Sequence, residues 1–338
     1  MHFLMLIGKH SNRKESERMD KKGFHDLLMA SFKSEDTEEW LDVHFTRPIG
    51  LVFALFWKKP GVHPNAITIL SIFLGVGAAW MFLHTDITHN VMGVILLMFA
   101  NFCDSTDGQL ARITGQKTLI GRMLDGFSGD VWFFAIYAAV CIRLMSQNIP
   151  GIDMKWGLAI WVLAFVAGVM CHSPQASLSD YYRQIHLLFL KGKAGSELDT
   201  YRQQRENFEN VPDDINPVMR LISKGFYFNY ANYCHSQEKR TPEFQKLKAV
   251  IIDTYGDIEY IPASVRNDFL NGSRPLMKYT NLLTFNLRAI CIYVTCLLNI
   301  PWVYFLIEII PLTCLYVYMH RQHESLCRRL FNQIKEKP

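Results

Sequence analysis

Six apolar stretches of about twenty residues dominate the pattern along this 338-residue chain. A helix of about twenty residues is long enough to cross the hydrocarbon core of a bilayer, so each stretch predicts a membrane span. The stretches comprise roughly residues 66–84, 91–111, 121–142, 156–176, 281–299 and 301–319. The pattern therefore predicts an all-α protein built as a six-transmembrane helix bundle.

Polar segments surround these spans and suggest the domain organisation. The insertion 177–280 contains "ELDTYRQQRENFEN", which is typical of a helix, and "VPDDINP", which is typical of a turn. We expect it to form a helical cytoplasmic cap on the membrane domain. The predicted units are a flexible N-terminus (1–36), a juxtamembrane amphipathic helix (37–62), spans one to four (63–176), the insertion, spans five and six (281–320) and a basic cytoplasmic tail (321–338).

The segment before the first span mixes acids, aromatics and aliphatics and then carries Lys58 and Lys59. Pro48 and Pro60 break it, so it is too irregular to cross the bilayer. It predicts an amphipathic helix lying against the cytoplasmic leaflet. The alternative is a soluble helix that packs on the bundle, because short apolar runs are ambiguous.

Basic residues are distributed unevenly among the connections between spans. The N-terminal region, the 112–122 loop and the tail are rich in Lys and Arg, whereas the 85–90 loop and the 299–301 turn have none. This asymmetry predicts a multi-pass protein with both termini in the cytoplasm. The 143–155 loop is a weak exception. The net charge of +4 is too modest to indicate a nucleic-acid partner.

The eight cysteines are scattered, mostly in apolar runs, and form no CxxC pair. We interpret them as small buried side chains and expect neither disulfides nor structural zinc.

Acidic residues inside the second and third stretches are the strongest candidates for chemistry. Asp104, Asp107, Gly108 and Ala111 follow helical spacing and share one face. Carboxylates in an apolar setting repel each other unless a cation or proton compensates, and hard divalent cations such as Mg²⁺ also bind phosphate. Gly and Ala leave room for a bulky group. Asp125 in the third stretch can face this pair if the two helices pack antiparallel.

Residues 104–125, "DSTDGQLARITGQKTLIGRMLD", closely resemble the signature of the CDP-alcohol phosphotransferase family. That signature is D-x-x-D-G-x-x-A-R, eight residues, then G-x-x-x-D-x-x-x-D. The "HPNAIT" that opens the first span is similar to the family's Pro-Asn-x-x-Thr, through Asn65 and Thr68. The resemblance covers about residues 37–180 and 280–320, and the insertion has no counterpart.

The resemblance implies transfer of a phosphoalcohol group from a CDP-alcohol to an acceptor hydroxyl with release of CMP. It implies Mg²⁺ or Mn²⁺ on the donor diphosphate, held by the aspartates of the signature. The residues implied in binding the nucleotide are Gly108, Ala111, Arg112, Gly121, Asn65 and Thr68.

The fourth aspartate of the signature belongs at Gly129, but here the acid is one residue late, at Asp130. On a regular helix, Asp130 lies about 140° from Asp125. In the hypothesis that we favour, a π-bulge near Gly126 and Gly129 returns Asp130 to the site, as a metal ligand and as the base beside Asp125. Alternatively, Asp130 is a supporting acid, or the protein is an inactive lipid-binding relative.

The lipid-facing spans favour CDP-diacylglycerol as donor and a small polar alcohol as acceptor. A basic rim of Lys117, Arg122 and Arg183, with Lys191 as a further candidate, favours inositol phosphate or glycerol phosphate, although each cation could instead be an ordinary interface residue. In the alternative, the acceptor is the lipid: a soluble CDP-choline or CDP-ethanolamine is the donor and diacylglycerol is the acceptor. A transporter is disfavoured because no internal repeat is visible. The expected partners are these substrates and the bilayer, and a homodimer is kept as a candidate assembly.

Overall fold

Helices make up 82% of the protein, and no strand occurs among the described residues. The computed structural model describes residues 23–24, 26–29, 34, 36–213 and 216–336. Most of the predicted flexible N-terminus, 1–36, lies outside these residues, so its flexibility stays a prediction. All eight cysteines lie inside them as free thiols.

Eleven helices are named in chain order. They are α1 (Arg47–Lys58), α2 (Pro64–Phe82), α3 (Ile87–Thr114), α4 (Leu119–Leu144), α5 (Ala159–Lys191), α6 (Tyr201–Glu209), α7 (Pro217–Arg240), α8 (Pro242–Tyr255), α9 (Ala263–Leu282), α10 (Phe285–Leu297) and α11 (Trp302–Lys335). A π-helical turn at Asp42–Thr46 precedes α1, and π segments interrupt α5 at Val166–His172 and α11 at Glu308–Leu312. Short 3₁₀ turns occur at Lys193–Gly195 and Ile258–Tyr260.

Six helical stretches in the described chain are long and apolar enough to cross a membrane: α2, α3, α4, α5, α9 with α10, and α11. Their outer faces expose large apolar side chains, such as Phe73 on α2 and Phe134 on α4. Lipid-facing side chains of this kind are expected in a bilayer and would be costly in water. The predicted all-α, multi-pass bundle of six spans is confirmed.

Two of the long helices continue well beyond their predicted spans. Helix α5 runs on to Lys191 and α11 to Lys335, so the predicted tail is mostly the end of a helix. The extensions pack with α8 and α9 around an apolar core that is separate from the core among the spans and includes Phe189, Phe244, Phe269 and Leu330. The insertion is therefore built onto extended spans and shares a core with them.

The first helices of the bundle assemble the end that carries the α3–α4 loop, which we call the site end. Helix α2 packs against both α3 and α4, and its small buried residues Ala78 and Ala79 allow close approach. Helix α1 buries Leu51 and Ala54 near α3 and exposes Phe56 on its other side. This two-sided helix agrees with the amphipathic pattern, and its contact with the bilayer stays a prediction.

Candidate active site

The acids of α3 and α4 are brought together by a tight helical hairpin. Helix α3 ends at Gly115, whose φ of 71° is the left-handed conformation that favours glycine. Helix α4 begins after Thr118, whose hydroxyl accepts a hydrogen bond from the Gly121 N–H at 2.9 Å. A Cβ on Gly121 would lie 3.1 Å from Asn65 Oδ1, so glycine lets this first turn approach α2 closely.

Asp104, Asp107 and Asp125 converge across this hairpin. One carboxylate oxygen from each lies within 4.8 Å of the others. Two charges at that distance repel by about 3 kcal/mol if the effective dielectric constant is about 20. Three ionised carboxylates are therefore a costly arrangement unless a cation lies among them.

The surroundings of this cluster compensate its charge only in part. Asp107 is 4% exposed, and its Oδ2 has no hydrogen-bond partner among the described residues. The hydroxyl of Ser128 lies 3.3 Å from Asp104 Oδ1, although it makes a shorter bond of 2.7 Å to the Asp125 carbonyl. A buried acceptor without a donor among the described residues fits a cation site where, as here, like charges crowd around it. The donor set is all oxygen, which suits Mg²⁺ or Mn²⁺.

A cavity of about 350 Å³ opens beside the cluster at the site end. Its lining includes Asp107, Asp125 and all six residues that the resemblance assigns to nucleotide binding, namely Asn65, Thr68, Gly108, Ala111, Arg112 and Gly121. The Arg112 guanidinium lies over Gly108, with Nη1 3.5 Å from where a Cβ would stand. The structure thus brings these residues into one cavity beside the acids.

The predicted acceptor-binding cations are separated by the fold. Lys117 and Arg122 line the cavity, whereas the Arg183 guanidinium bonds to Asn281 Oδ1 at 3.1 Å and is outside the lining. Arg122 forms an ion pair with Asp199, which comes from the insertion. A phosphate on an acceptor would have to compete with Asp199 for this guanidinium.

Two acids of the insertion belong to the site and were not expected from the sequence. Glu197 lines the cavity, and its backbone N–H bonds to Gln184 Oε1 at 2.9 Å. Asp199 also accepts a 2.9 Å hydrogen bond from the Tyr230 hydroxyl on α7, and burial raises the pKa of this phenol above its usual range. The only local signal was two acids in "SELDT" shortly after Lys191, which does not reveal a contact with Arg122.

Asp130 does not join the cluster, and the hypothesis of a π-bulge in α4 is wrong. Helix α4 is a regular α-helix from Leu119 to Leu144, so the spacing of five residues turns Asp130 away from Asp125. Asp130 is exposed and interacts electrostatically with Tyr233 on α7. Apart from α4 itself, no described residue lies within 4 Å of where a Cβ on Gly126 or Gly129 would stand, so no packing contact there favours a bulge. We therefore withdraw Asp130 as metal ligand and as catalytic base.

A second polar cluster lies in the apolar core, where the two π segments of α5 and α11 pack together. Glu308 is fully buried, and its Oε1 accepts from Arg288 Nε at 2.8 Å and from the Tyr304 hydroxyl at 2.6 Å. His172 Nδ1 lies 3.2 Å from the same oxygen. Arg288 also donates to Gln175 Oε1 at 2.7 Å. This carboxylate already has its cation inside the protein.

The fold and site define a multi-pass membrane protein with three converging carboxylates, two of which line a cavity together with the small residues of α3. Residues 61–176 match the model of the CDP-alcohol phosphatidyltransferase family. Over this segment the chain is therefore similar to that family, which confirms the resemblance carried by the motif. The match supports a transferase of phosphoalcohol groups in phospholipid biosynthesis.

A curated protein is also similar to part of this chain. An uncharacterized protein from Aquifex aeolicus (strain VF5) is 39% identical over 70 residues, which cover 21% of this chain. The aligned part is 34% of that protein, so the chain spans about a third of the relative's length.

Proposed function

We propose that this protein transfers a phosphoalcohol group from CDP-diacylglycerol to the hydroxyl of a small polar alcohol and releases CMP. The observation that carries the proposal is the convergence of Asp104, Asp107 and Asp125 within 4.8 Å, beside a cavity of about 350 Å³. Asp107 and Asp125 line this cavity together with the small residues Gly108 and Ala111. The family match at residues 61–176 supports the reaction class.

The three aspartates would hold Mg²⁺ or Mn²⁺. The like charges and the unpartnered Oδ2 of Asp107 fit such an ion, because a divalent cation would supply both the missing positive charge and a partner for that oxygen. When bound, the ion supplies charge stabilisation for the diphosphate as the phosphoryl bond breaks.

Other residues of the cavity would bind and orient the donor. Gly108 and Ala111 leave space for the nucleotide against α3, and Arg112 reaches back over this surface towards the acids. Asn65 and Thr68 complete the wall from α2. Placing the diphosphate against rigid helices positions its phosphorus for attack, and positioning accounts for much of the catalysis of phosphoryl transfer.

The transfer itself is an in-line displacement at phosphorus. The acceptor oxygen forms a bond to the phosphorus that carries the lipid alcohol, and the bond from this phosphorus to the bridging oxygen of CMP breaks. The bonding electrons leave with CMP, and the hydroxyl proton passes to a carboxylate. Because Asp130 points away, we assign this proton to Asp125.

The loop asymmetry in Lys and Arg supports a cytoplasmic site end, where a water-soluble acceptor would enter. The lipid-facing spans support a donor that arrives from the bilayer. The acceptor in this proposal is a small polar alcohol, with inositol phosphate and glycerol phosphate included in the panel that tests it.

The experiment measures CMP release by the purified protein in lipid nanodiscs with Mg²⁺ or Mn²⁺ and CDP-diacylglycerol. The acceptor panel contains inositol, inositol phosphate, glycerol phosphate and serine, and a parallel panel pairs CDP-choline or CDP-ethanolamine with diacylglycerol. We expect CMP only when metal, CDP-diacylglycerol and one acceptor are all present. Release confined to the second panel would reverse the donor assignment, and no release in either would overturn the proposal.

A further inference from the structure

Helix α7 of the insertion exposes large apolar side chains over its first three turns. Leu221 is 74% exposed, and Val218, Ile222 and Phe228 share its side of the helix and are also exposed. Ser223 faces the protein and is 7% exposed. A helix on the surface of a soluble domain usually turns its apolar side inward, so the exposed apolar side chains of α7 are unusual for such a surface.

The exposed apolar side chains from Val218 to Phe228 form a stripe along α7, and this stripe ends sharply on the same face of the helix. After Phe228 the exposed positions of α7 continue with Asn229, Asn232 and His235, which are all polar. The stripe from Val218 to Phe228 is therefore about 16 Å long, at 1.5 Å per residue. One face of a continuous helix thus changes from apolar to polar side chains.

The stripe adjoins the lipid-facing surface of the spans. The rings of Phe226 on α7 and Phe127 on α4 meet edge to face, with centroids 5.9 Å apart. Phe127 is itself exposed, and Phe134 lies two turns further along the same membrane-spanning helix. The exposed Asp130 lies between Phe127 and Phe134 on that side of α4, so the apolar surface that meets α7 is the part around Phe127.

The charges of α7 fit a lipid surface. No acidic residue occurs between Asn216 and Gln237, whereas Arg220 and Lys224 lie within the apolar stretch of sequence. At 100° per residue, Arg220 lies about 130° and Lys224 about 90° from the middle of the stripe, so the two cations flank the apolar side. Arg220 pairs with Asp213, and Lys224 lies over the ring of Phe208. An apolar face flanked by basic residues is the pattern of helices that lie in the membrane interface.

We propose that the first three turns of α7 lie in the interface of the bilayer, with the stripe from Val218 to Phe228 against the acyl chains. The insertion is then an arm attached to the membrane beside the site, and only its remainder is a cap. Tyr230 lies directly after the stripe and holds Asp199, the partner of Arg122. Contact with lipid would therefore set the position of residues at the mouth of the cavity. This inference rests on the membrane fold and is independent of the proposed reaction.

The test places one environment-sensitive fluorescent amino acid by codon suppression at Leu221 or at Asn232, with the full-length protein in nanodiscs. Both positions are exposed on the same side of α7, so they differ only in whether they lie on the stripe. We expect the probe at 221 to emit at shorter wavelength and to be quenched by spin-labelled lipid. The probe at 232 should instead be quenched by aqueous iodide.

Equal quenching of both probes by iodide would overturn the proposal. Protection of the probe at 221 from both quenchers would also overturn it, because a second copy of the chain would then cover the stripe. A variant pair gives an independent check by hydrogen exchange. Leu221→Glu should raise the exchange rate of residues 217–228 in nanodiscs, whereas Asn232→Glu should leave it unchanged, and equal rates in both variants would count against membrane contact.

Discussion

Two places in the membrane-spanning core carry acidic side chains, and they differ in how their charge is compensated. Glu308 shares one oxygen with Arg288 and Tyr304, at 2.8 and 2.6 Å. The cluster of Asp104, Asp107 and Asp125 instead brings three acids within 4.8 Å of each other. Each place has one buried carboxylate oxygen without a hydrogen-bond partner among the described residues, Asp107 Oδ2 and Glu308 Oε2, so the difference lies in the buried guanidinium beside Glu308 and the like charges of the three aspartates. A carboxylate that folds with its own cation is structural, whereas carboxylates that repel each other need a cation from outside.

The largest expected effect comes from Asp107→Asn. It removes a negative charge from the cluster, so we expect CMP release to fall by about 10³-fold or more. The same change relieves repulsion, so the unfolding temperature without divalent ions should stay the same or rise. Thermal unfolding with and without Mn²⁺ gives the second readout, and the stabilisation by Mn²⁺ should be lost. A variant that keeps this stabilisation would contradict the metal site.

Replacing the carboxylate of Glu308 by an amide should lower stability, in contrast to the same change at Asp107. Glu308→Gln leaves the buried guanidinium of Arg288 without a counter-charge, which typically costs about 3–5 kcal/mol. Thermal unfolding in nanodiscs measures it. The control is the double variant Glu308→Leu with Arg288→Met, which removes both charges and should recover most of the loss. If the double variant is no more stable than the single one, the ion pair is not the cause.

A smaller effect is expected from Ser128→Ala, because Ser128 supports the cluster only indirectly. Its hydroxyl lies 3.3 Å from Asp104 Oδ1 but bonds more closely to a carbonyl of its own helix. We expect the Mn²⁺ concentration for half-maximal activity to rise about 10-fold, at the low end of effects for groups that orient metal ligands. The maximal rate at saturating Mn²⁺ should change little. A lost maximal rate would instead place Ser128 among the groups that touch substrate.

Asp130→Asn should have the smallest effect, a change in CMP release within about twofold. Asp130 is exposed on a regular helix and lies outside the acidic cluster, and surface changes of this kind alter free energies by about 0.5 kcal/mol or less. The same kinetic assay is used, with Asp107→Asn as the reference for full loss. A loss at Asp130 as large as at Asp107 would restore the fourth aspartate to the site.

The acids of the site could be predicted in part because helical spacing relates residues that are close in sequence. Asp104 and Asp107 share a face of one helix, and a four-residue loop returns the chain so that Asp125 meets them. Asp130 was misplaced because the choice between a regular helix and a π-bulge depends on packing around the helix. The π segments that do occur in spans, Val166–His172 and Glu308–Leu312, adjoin the Glu308 cluster, which the sequence did not indicate.

The sequence by itself determined the six spans, the all-α class and the three converging aspartates, because hydrophobic length and helical periodicity are local properties. Only the tertiary structure decided that Asp199 pairs with Arg122, that Arg288 neutralises Glu308, and that α7 turns its apolar side outward. The two ion pairs join residues from different segments of the chain, up to 77 positions apart in the case of Arg122 and Asp199. Such pairings follow from how whole helices pack, and no spacing along the chain encodes them.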